Sequence, residues 1–471
     1  MKPGVVKRRK MKDNPFSRQN LQERMLLLMT HDTPSHHASA PGTDLGAKLE
    51  HLRLPLPAES ATAPRKRGRP VELPAWHLSL AVVVCLLRGL QSQLEVWRLI
   101  AFAGVGPLAP LPLSDQAVYD RLDQDGVSAF QAFFGQLSAW LAQRLAPYED
   151  CRLAPFAAGV VALDESVLDQ VKRWVKWLRE VPAGDSRLLP GRLVGLFDVR
   201  LQQWRRLDVL LDATANCKVH ARAMLTGLAT GTLILFDRGY FSFPWLDELS
   251  ELGYWYISRT VAKTRYQVQH VLYQADGVCD ALVYLGAYRS DQASQLVRLV
   301  CFRVGKQRYS YLTNVLDPAT LSIADIARLY ARRWDIELAF RELKDHLGLH
   351  LLWSAKLGVI YQQIWASLIL AQLLHAFQVE LAARAEVDPF DVSLYLLSRQ
   401  VPALLLRGED PMGFLLTHGR AMGLIRPSTR TRIQAPIVPL QEVFFPPPEV
   451  LQPRKARSAH RNCGSRYAAQ S

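Results

Sequence analysis

Leu329-Tyr330-Ala331-Arg332-Arg333-Trp334-Asp335-Ile336-Glu337-Leu338-Ala339-Phe340-Arg341-Glu342-Leu343-Lys344-Asp345-His346-Leu347 reads as the heart of a long helix running from about Ser322 to Leu347. At about 100° per residue, Leu329, Ile336, Phe340, Leu343 and Leu347 fall on one apolar stripe, and Tyr330, Arg333, Glu337 and Lys344 on a second stripe beside it. The apolar stripe must face a core. The polar one then lies along the seam between this helix and whatever it packs on, where a carboxylate, a guanidinium and an ammonium can point at one bound group. Arg333 and Glu337 at i, i+4 would equally suit a salt-bridged surface, so the meaning of the stripe depends on what lies upstream.

Upstream the period changes from helical to strand-like. Ala157 to Leu163 is a short apolar run ending in Asp164; Leu193 to Val199 and Leu207 to Leu211 are two more. A helix over Lys218 to Leu228, a strand over Thr232 to Phe236 ending in Asp237, a helix over Pro244 to Leu252 and a strand over Tyr254 to Ser258 complete a β-β-β-α-β-α-β order. This predicts a mixed sheet backed by helices. Residues 260–315 alternate as strands do and read as a β-rich insertion. Two acids at strand ends, Asp164 and Asp237, together with Glu337 give three hard oxygen donors, the set that suits Mg²⁺ or Mn²⁺. Two such ions about 4 Å apart can activate an attacking oxygen and stabilise a leaving one at phosphorus. Zinc is not indicated, because His and Cys are not arranged for it. Glu165, Asp169, Asp198, Asp208 and Asp247 compete for the first two places. Asp164 is preferred because it directly follows four apolar strand residues, whereas Glu165 would face the other way. Arg238 is either a phosphate contact or the partner that holds Asp237.

These motifs resemble those of the DDE transposases of bacterial insertion sequences, specifically the insertion sequence four group. The family signature of Tyr, two residues, Arg, three residues, Glu, six residues, Lys is matched by Tyr330, Arg333, Glu337 and Lys344. Leu163-Asp164 resembles the first acid, and Asp237-Arg238-Gly239-Tyr240 the second; the likeness covers about residues 155–385. The resemblance implies an RNase H-like core, a mixed five-stranded sheet with helices that carries a β-strand insertion, in which Asp164, Asp237 and Glu337 bind the divalent metals. Tyr330, Arg333 and Lys344 would contact transposon-end DNA. It further implies cleavage through a hairpin intermediate, a flipped base held by an aromatic of the insertion (Trp255, Tyr256, Tyr266, Tyr273, Tyr284 or Tyr288), and a homodimer pairing two inverted-repeat ends through helices after Leu381. The expected activity is cut-and-paste transposition into double-stranded target DNA. A domesticated non-catalytic DNA-binding protein and a stand-alone RNase H-like nuclease are the rival readings.

Composition agrees with a nucleic-acid partner. The 471 residues carry 57 Lys and Arg against 43 Asp and Glu, a net charge of +14, as expected of a protein that meets a polyanion. Hydrophobic residues at 49% exclude a mainly disordered chain. Six scattered cysteines with no C-x-x-C pair indicate a reducing compartment. The expected location is the cytoplasm, at the nucleoid and away from membrane: Gly358 to Phe377 is apolar but interrupted by Gln362, Gln363, Gln372 and His375. Residues 1–65 read as a flexible basic arm. Residues 66–150 read as a helical DNA-binding domain, opening with an AT-hook-like Arg67-Gly68-Arg69-Pro70 and containing a helix N-capped by Ser114. A catalytic domain spans 151–385, a helical C-terminal region 386–430, and a loose Pro-rich basic tail 431–471. In the arm's Arg-Gly-Arg core, Arg67 and Arg69 would enter a narrow minor groove, although a plain basic linker reads the same.

Overall fold

A computed structural model describes residues 73–454 apart from 106–107, 169–179, 183–190, 211–216, 262, 276, 288–291, 350–351, 355 and 429–432. The basic arm, Arg67, Arg69, Asp169 and Tyr288 therefore lie outside the described residues. Helices α1 (Ala75–Leu87), α2 (Gln93–Arg98), α3 (Asp115–Gln124) and α4 (Ser128–Leu145) come first. As its sequence predicts, α3 is capped by the Ser114 hydroxyl, which accepts from the Ala117 amide.

The sheet follows. Strands β1 (Val160–Val167), β2 (Arg192–Asp198) and β3 (Gln203–Leu210) form an antiparallel meander. Helix α5 (Cys217–Met224) leads to β4 (Leu233–Phe236), and α6 (Phe243–Glu251) to β5 (Trp255–Arg259); β4 pairs parallel with both β1 and β5. This is the order read from the sequence. The expectation of a five-stranded sheet is corrected: β6 (Tyr266–Ala275), β7 (Val278–Leu285), β8 (Val297–Val304) and β9 (Gln307–Thr313) continue the same sheet, giving nine strands in the order β3-β2-β1-β4-β5-β9-β8-β7-β6. The physical reason is the outer edge of β5, whose open N–H and C=O groups would otherwise lack partners; β9 supplies them, with Arg259 opposite Tyr311.

Strand alternation divides the apolar residues between two faces. Val161, Leu163, Ile234, Phe236 and Tyr256 pack with α6 residues Leu246 and Leu249. Val160, Ala162, Leu235 and Ile257 join the larger core, built with α1 to α4 and with three later helices, α7 (Ile323–Arg332), α8 (Trp334–Arg341) and α9 (Leu357–Arg384). Among the described residues α9 alone is long and apolar enough to cross a membrane, yet it is largely buried within the protein. Its polar residues explain how. Gln372 accepts from the Trp204 amide at 2.7 Å and donates to the Trp204 carbonyl at 2.9 Å, while Gln362 donates to the Leu122 carbonyl at 2.8 Å. Each amide satisfies backbone groups that the core would otherwise strand.

Two expectations for the later chain are corrected. The helix predicted over Ser322 to Leu347 is divided at Arg333, between α7 and α8, and passes into a π-helical turn over Glu342–His346. Wider i to i+5 bonding changes the angular step after Arg341, and Lys344 on this turn still faces β1, where it bonds Ser166 two residues beyond Asp164. The tail is also not loose over its described part, residues 433–454. The Phe444 amide donates to the Leu272 carbonyl at 2.8 Å, at a bulge in β6, and Arg454 donates to the carbonyls of Ala293 (2.7 Å) and Leu285 (3.0 Å) while lying 4.6 Å from the Tyr284 ring centre. Helices α10 (Leu394–Leu406) and α11 (Pro411–His418) form a smaller core with the end of α9.

Candidate active site

Asp164 is the first half-buried residue of β1, directly after the buried run Val160 to Leu163, and its register partner on β2 is Gly195. A Cβ on Gly195 would stand 2.5 Å from the Trp204 ring and 2.9 Å from the Phe340 ring. The missing side chain lets α8 settle onto the sheet beside Asp164. A second set of bonds fixes the start of α8: Arg332 donates to Asp335 at 2.7 Å and to the Val199 carbonyl at 3.1 Å, and Gln202 donates to Asp335 at 3.1 Å. Neither Gly195 nor this clamp is visible as a functional signal in the sequence, because their significance arises only once β2 and α8 face each other.

The junction so fixed carries Arg333, whose two terminal nitrogens bridge two carboxylates. Nη1 donates to Asp164 Oδ2 at 3.1 Å, and Nη2 to Glu337 Oε1 at 2.6 Å. Arg333 is 5% exposed and its guanidinium lies 5.8 Å from the Tyr330 ring centre and 5.2 Å from that of Trp334. Asp164 also accepts from the Glu165 amide at 2.8 Å. Burial, aided by the charges of Asp237 and Glu337, pushes the Asp164 carboxyl up to about 7, against the opposing pull of Arg333 and the Glu165 amide. Asp237 follows β4 and caps a short turn, accepting from the Gly239 amide at 2.7 Å; Arg238 beside it is exposed.

The structure thus brings Asp164, Arg333, Glu337 and Tyr330 into contact, with Asp237 close enough to act electrostatically on Asp164. Lys344 is placed differently: its Nζ donates to the Ser166 hydroxyl at 2.5 Å and to the Val167 carbonyl at 3.2 Å, at the far end of β1. The competing acids have other partners. Glu165 pairs with Arg192, Asp198 with Arg205, Asp208 with Arg206, and Asp247 accepts from Ser294 and Gln295. Among the insertion aromatics, Tyr256 is fully buried, Tyr266 is exposed, and Tyr284 lies beneath Arg454.

Asp164, Asp237 and Glu337 present the hard oxygens a divalent cation takes, and the Asp164 carboxyl is raised chiefly by its burial, with a smaller push from Asp237 and Glu337. Among the described residues no group of three or more ligating side chains closes on a common point, and Arg333 bridges two of the carboxylates.

Comparison with known proteins adds to this geometry. The family described as "Transposase DDE domain" matches residues 200–373, a segment that takes in Asp237 and Glu337 and starts after Asp164. The chain is 29% identical over 178 residues to "Putative transposase y4zB" of Sinorhizobium fredii (strain NBRC 101917 / NGR234), covering 36% of this chain. It spans about half of that relative, 48% of its length. A cryo-EM structure of a piggyBac transposase synaptic complex with hairpin DNA is aligned over 83% of this chain and 84% of its own, with 9% identity and a TM-score of 0.38. Both the matched family and this relative are described as transposases.

Proposed function

We propose that the protein is a cut-and-paste DNA transposase of the insertion sequence four group. On this reading β1 to β5 and their helices form an RNase H-like core, and β6 to β9 are its insertion. The observation that carries the proposal is the bridge from Asp164 through Arg333 to Glu337, with Asp237 beside it, on two strand ends and a helix that match the acids of that group. The matched transposase segment contains two of the three acids. Asp164, Asp237 and Glu337 would hold Mg²⁺ or Mn²⁺, which when bound supplies Lewis-acid charge for phosphoryl transfer.

The chain's own groups do the positioning. Arg333, held between two carboxylates and against two rings, presents a fixed guanidinium to a phosphate of the element end. Tyr330 steadies it from the next turn and offers a phenol. Lys344 and the exposed Arg238 add positive charge for the backbone, and Arg67 and Arg69 of the basic segment would contact the duplex as well. The site so arranged suits nicking at the inverted-repeat end, hairpin formation by the released 3′-hydroxyl, and joining to target DNA, all without a covalent protein intermediate. Two copies pairing two ends through α10 and α11 complete the proposed assembly, acting on the nucleoid in the cytoplasm.

The test is strand transfer. The full chain is incubated with Mg²⁺, a labelled duplex of the DNA flanking its gene and a plasmid target, beside Glu337→Gln. Joined product from wild type alone supports the proposal. Cleavage without joining would favour a nuclease, and binding without cleavage a non-catalytic DNA-binding protein.

A further inference from the structure

Arg259 ends β5 at the level of the carboxylates. Parallel register sets Leu163 beside Phe236 and Phe236 beside Ser258, so Asp164, Asp237 and Arg259 follow at one height on three adjacent strands. Antiparallel register then sets Arg259 opposite Tyr311 on β9. Two residues before each of the first three stand Ala162, Leu235 and Ile257, all in the core beneath the helices, and Tyr311 belongs to that core as well. Alternation therefore puts Asp164, Asp237, Arg259 and Tyr311 in a single row on the face that α8 covers.

Within this row Arg259 differs from Arg333. Arg333 is committed to two carboxylates. Arg259 is half-buried, its Nε is shielded from solvent without a hydrogen-bond partner, and among the described residues it has no carboxylate in ion-pair range. The groups its charge acts on are the neutral phenols of Tyr311 and Tyr330. A guanidinium with a shielded, unbonded Nε and no carboxylate in ion-pair range gains a partner when an anion arrives, and a planar fork suits the paired oxygens of a phosphodiester.

We infer that Arg259 is a further nucleic-acid contact of this site, taking a phosphate oxygen of the DNA strand that lies along the Asp164–Asp237 row. The inference rests on the transposase reading and adds a residue outside the four-residue signature. Its role is to hold a polyanion against three acids that would otherwise repel it, on the β5 side of the row where Arg333 does not reach.

Two measurements on the full chain test this. In the first, wild type in Ca²⁺ is modified with p-hydroxyphenylglyoxal, alone, with a duplex of the DNA flanking its gene, and with inorganic phosphate at equal ionic strength; peptide mass spectrometry reads the occupancy of Arg259. Protection by the duplex and not by inorganic phosphate is expected. In the second, the slope of log K against log salt for the same duplex is compared among wild type, Arg259→Gln and Arg259→Lys. The Gln variant should lose about one unit of slope and the Lys variant should keep it. The chemical protection is read on wild type, so it holds even if a variant folds poorly. A duplex that binds while leaving Arg259 as reactive as in the free protein would overturn the inference and leave the transposase reading standing. Equal protection by inorganic phosphate would assign the site to a free anion instead. Absence of any salt-dependent duplex binding by wild type would remove both.

Discussion

Replacing Asp164 by Asn should stabilise the metal-free protein, and by an amount that depends on pH. Asp164 is 13% exposed and its carboxyl is pushed up to about 7 from the usual 3.8. Between these two values the unfolded chain binds fewer protons than the folded one, so the contribution of this group is fully present below about pH 4 and lost as pH rises towards 7. At ~1.4 kcal/mol per unit, the loss is about 4 kcal/mol at pH 8 but only about 1.5 kcal/mol at pH 5. Asn carries no charge to bury, so Asp164→Asn escapes this loss, and Arg333 keeps Glu337 as a partner. The stability difference between variant and wild type, taken from urea midpoints in EDTA, should grow by about 2.5 kcal/mol from pH 5 to pH 8. Titrating groups remote from Asp164 are common to both chains and cancel, leaving its coupling to Arg333, Glu337 and Asp237 as part of the same difference. Added Mg²⁺ should raise the wild-type midpoint at pH 8 and leave that of the variant nearly unchanged. A difference that is flat between pH 5 and pH 8 would refute the reasoning, since the burial of an unbalanced charge could not then be its cause.

Three further substitutions probe what holds the site and the insertion. Gly195→Ala places a methyl group into the Trp204 and Phe340 rings; it should cost about 1–3 kcal/mol in urea and also lower strand transfer, because α8 must move away from β1. Asp280→Asn removes the partner of the fully buried Arg298, which Asp280 holds at 2.6 and 2.8 Å. A loss of about 3–5 kcal/mol is expected, read as faster hydrogen exchange across β7 and β8. Arg454→Ala should free the C-terminal strap, with exchange at Leu285 and Ala293 rising while β1 to β5 stay protected; unchanged exchange there would show that the Phe444 amide's bond to Leu272 and the Tyr284 hydroxyl's 2.6 Å bond to the Gln452 carbonyl suffice to hold it.

Much of the site was legible because its signals are local. Asp164 and Asp237 each stop an apolar run, and Tyr330, Arg333 and Glu337 fall within two helical turns, so short-range periodicity finds them. Lys344 lies beyond the start of the π-helical turn, where a fixed angular step no longer gives its position, and it meets β1 at Ser166 and Val167. The nine-stranded sheet was hidden for a different reason. Alternation marks 260–315 as strands, but only the open edge of β5 decides whether they form a separate body or extend the sheet. Gly195 and Arg259 look like ordinary strand residues until register sets them beside Phe340 and Asp237. The strap was missed because Pro-rich composition says nothing of docking, which here uses the carbonyl left over at the Leu272 bulge and the face of Tyr284. In the opposite direction, the glutamines of α9 look in the sequence like mere interruptions of an apolar run, whereas each supplies a hydrogen bond that joins the helix to other parts of the chain.

That three carboxylates from separate elements act as one centre is tested most directly by calorimetric titration of Mn²⁺ into wild type, Asp164→Asn, Asp237→Asn, Glu337→Gln and the paired variants. Each single variant should lose most of the wild-type binding, and each pair should lose no more than its weaker member, as expected of ligands that share ions. Binding that survives all three single substitutions, or falls by independent and additive steps, would contradict the assignment.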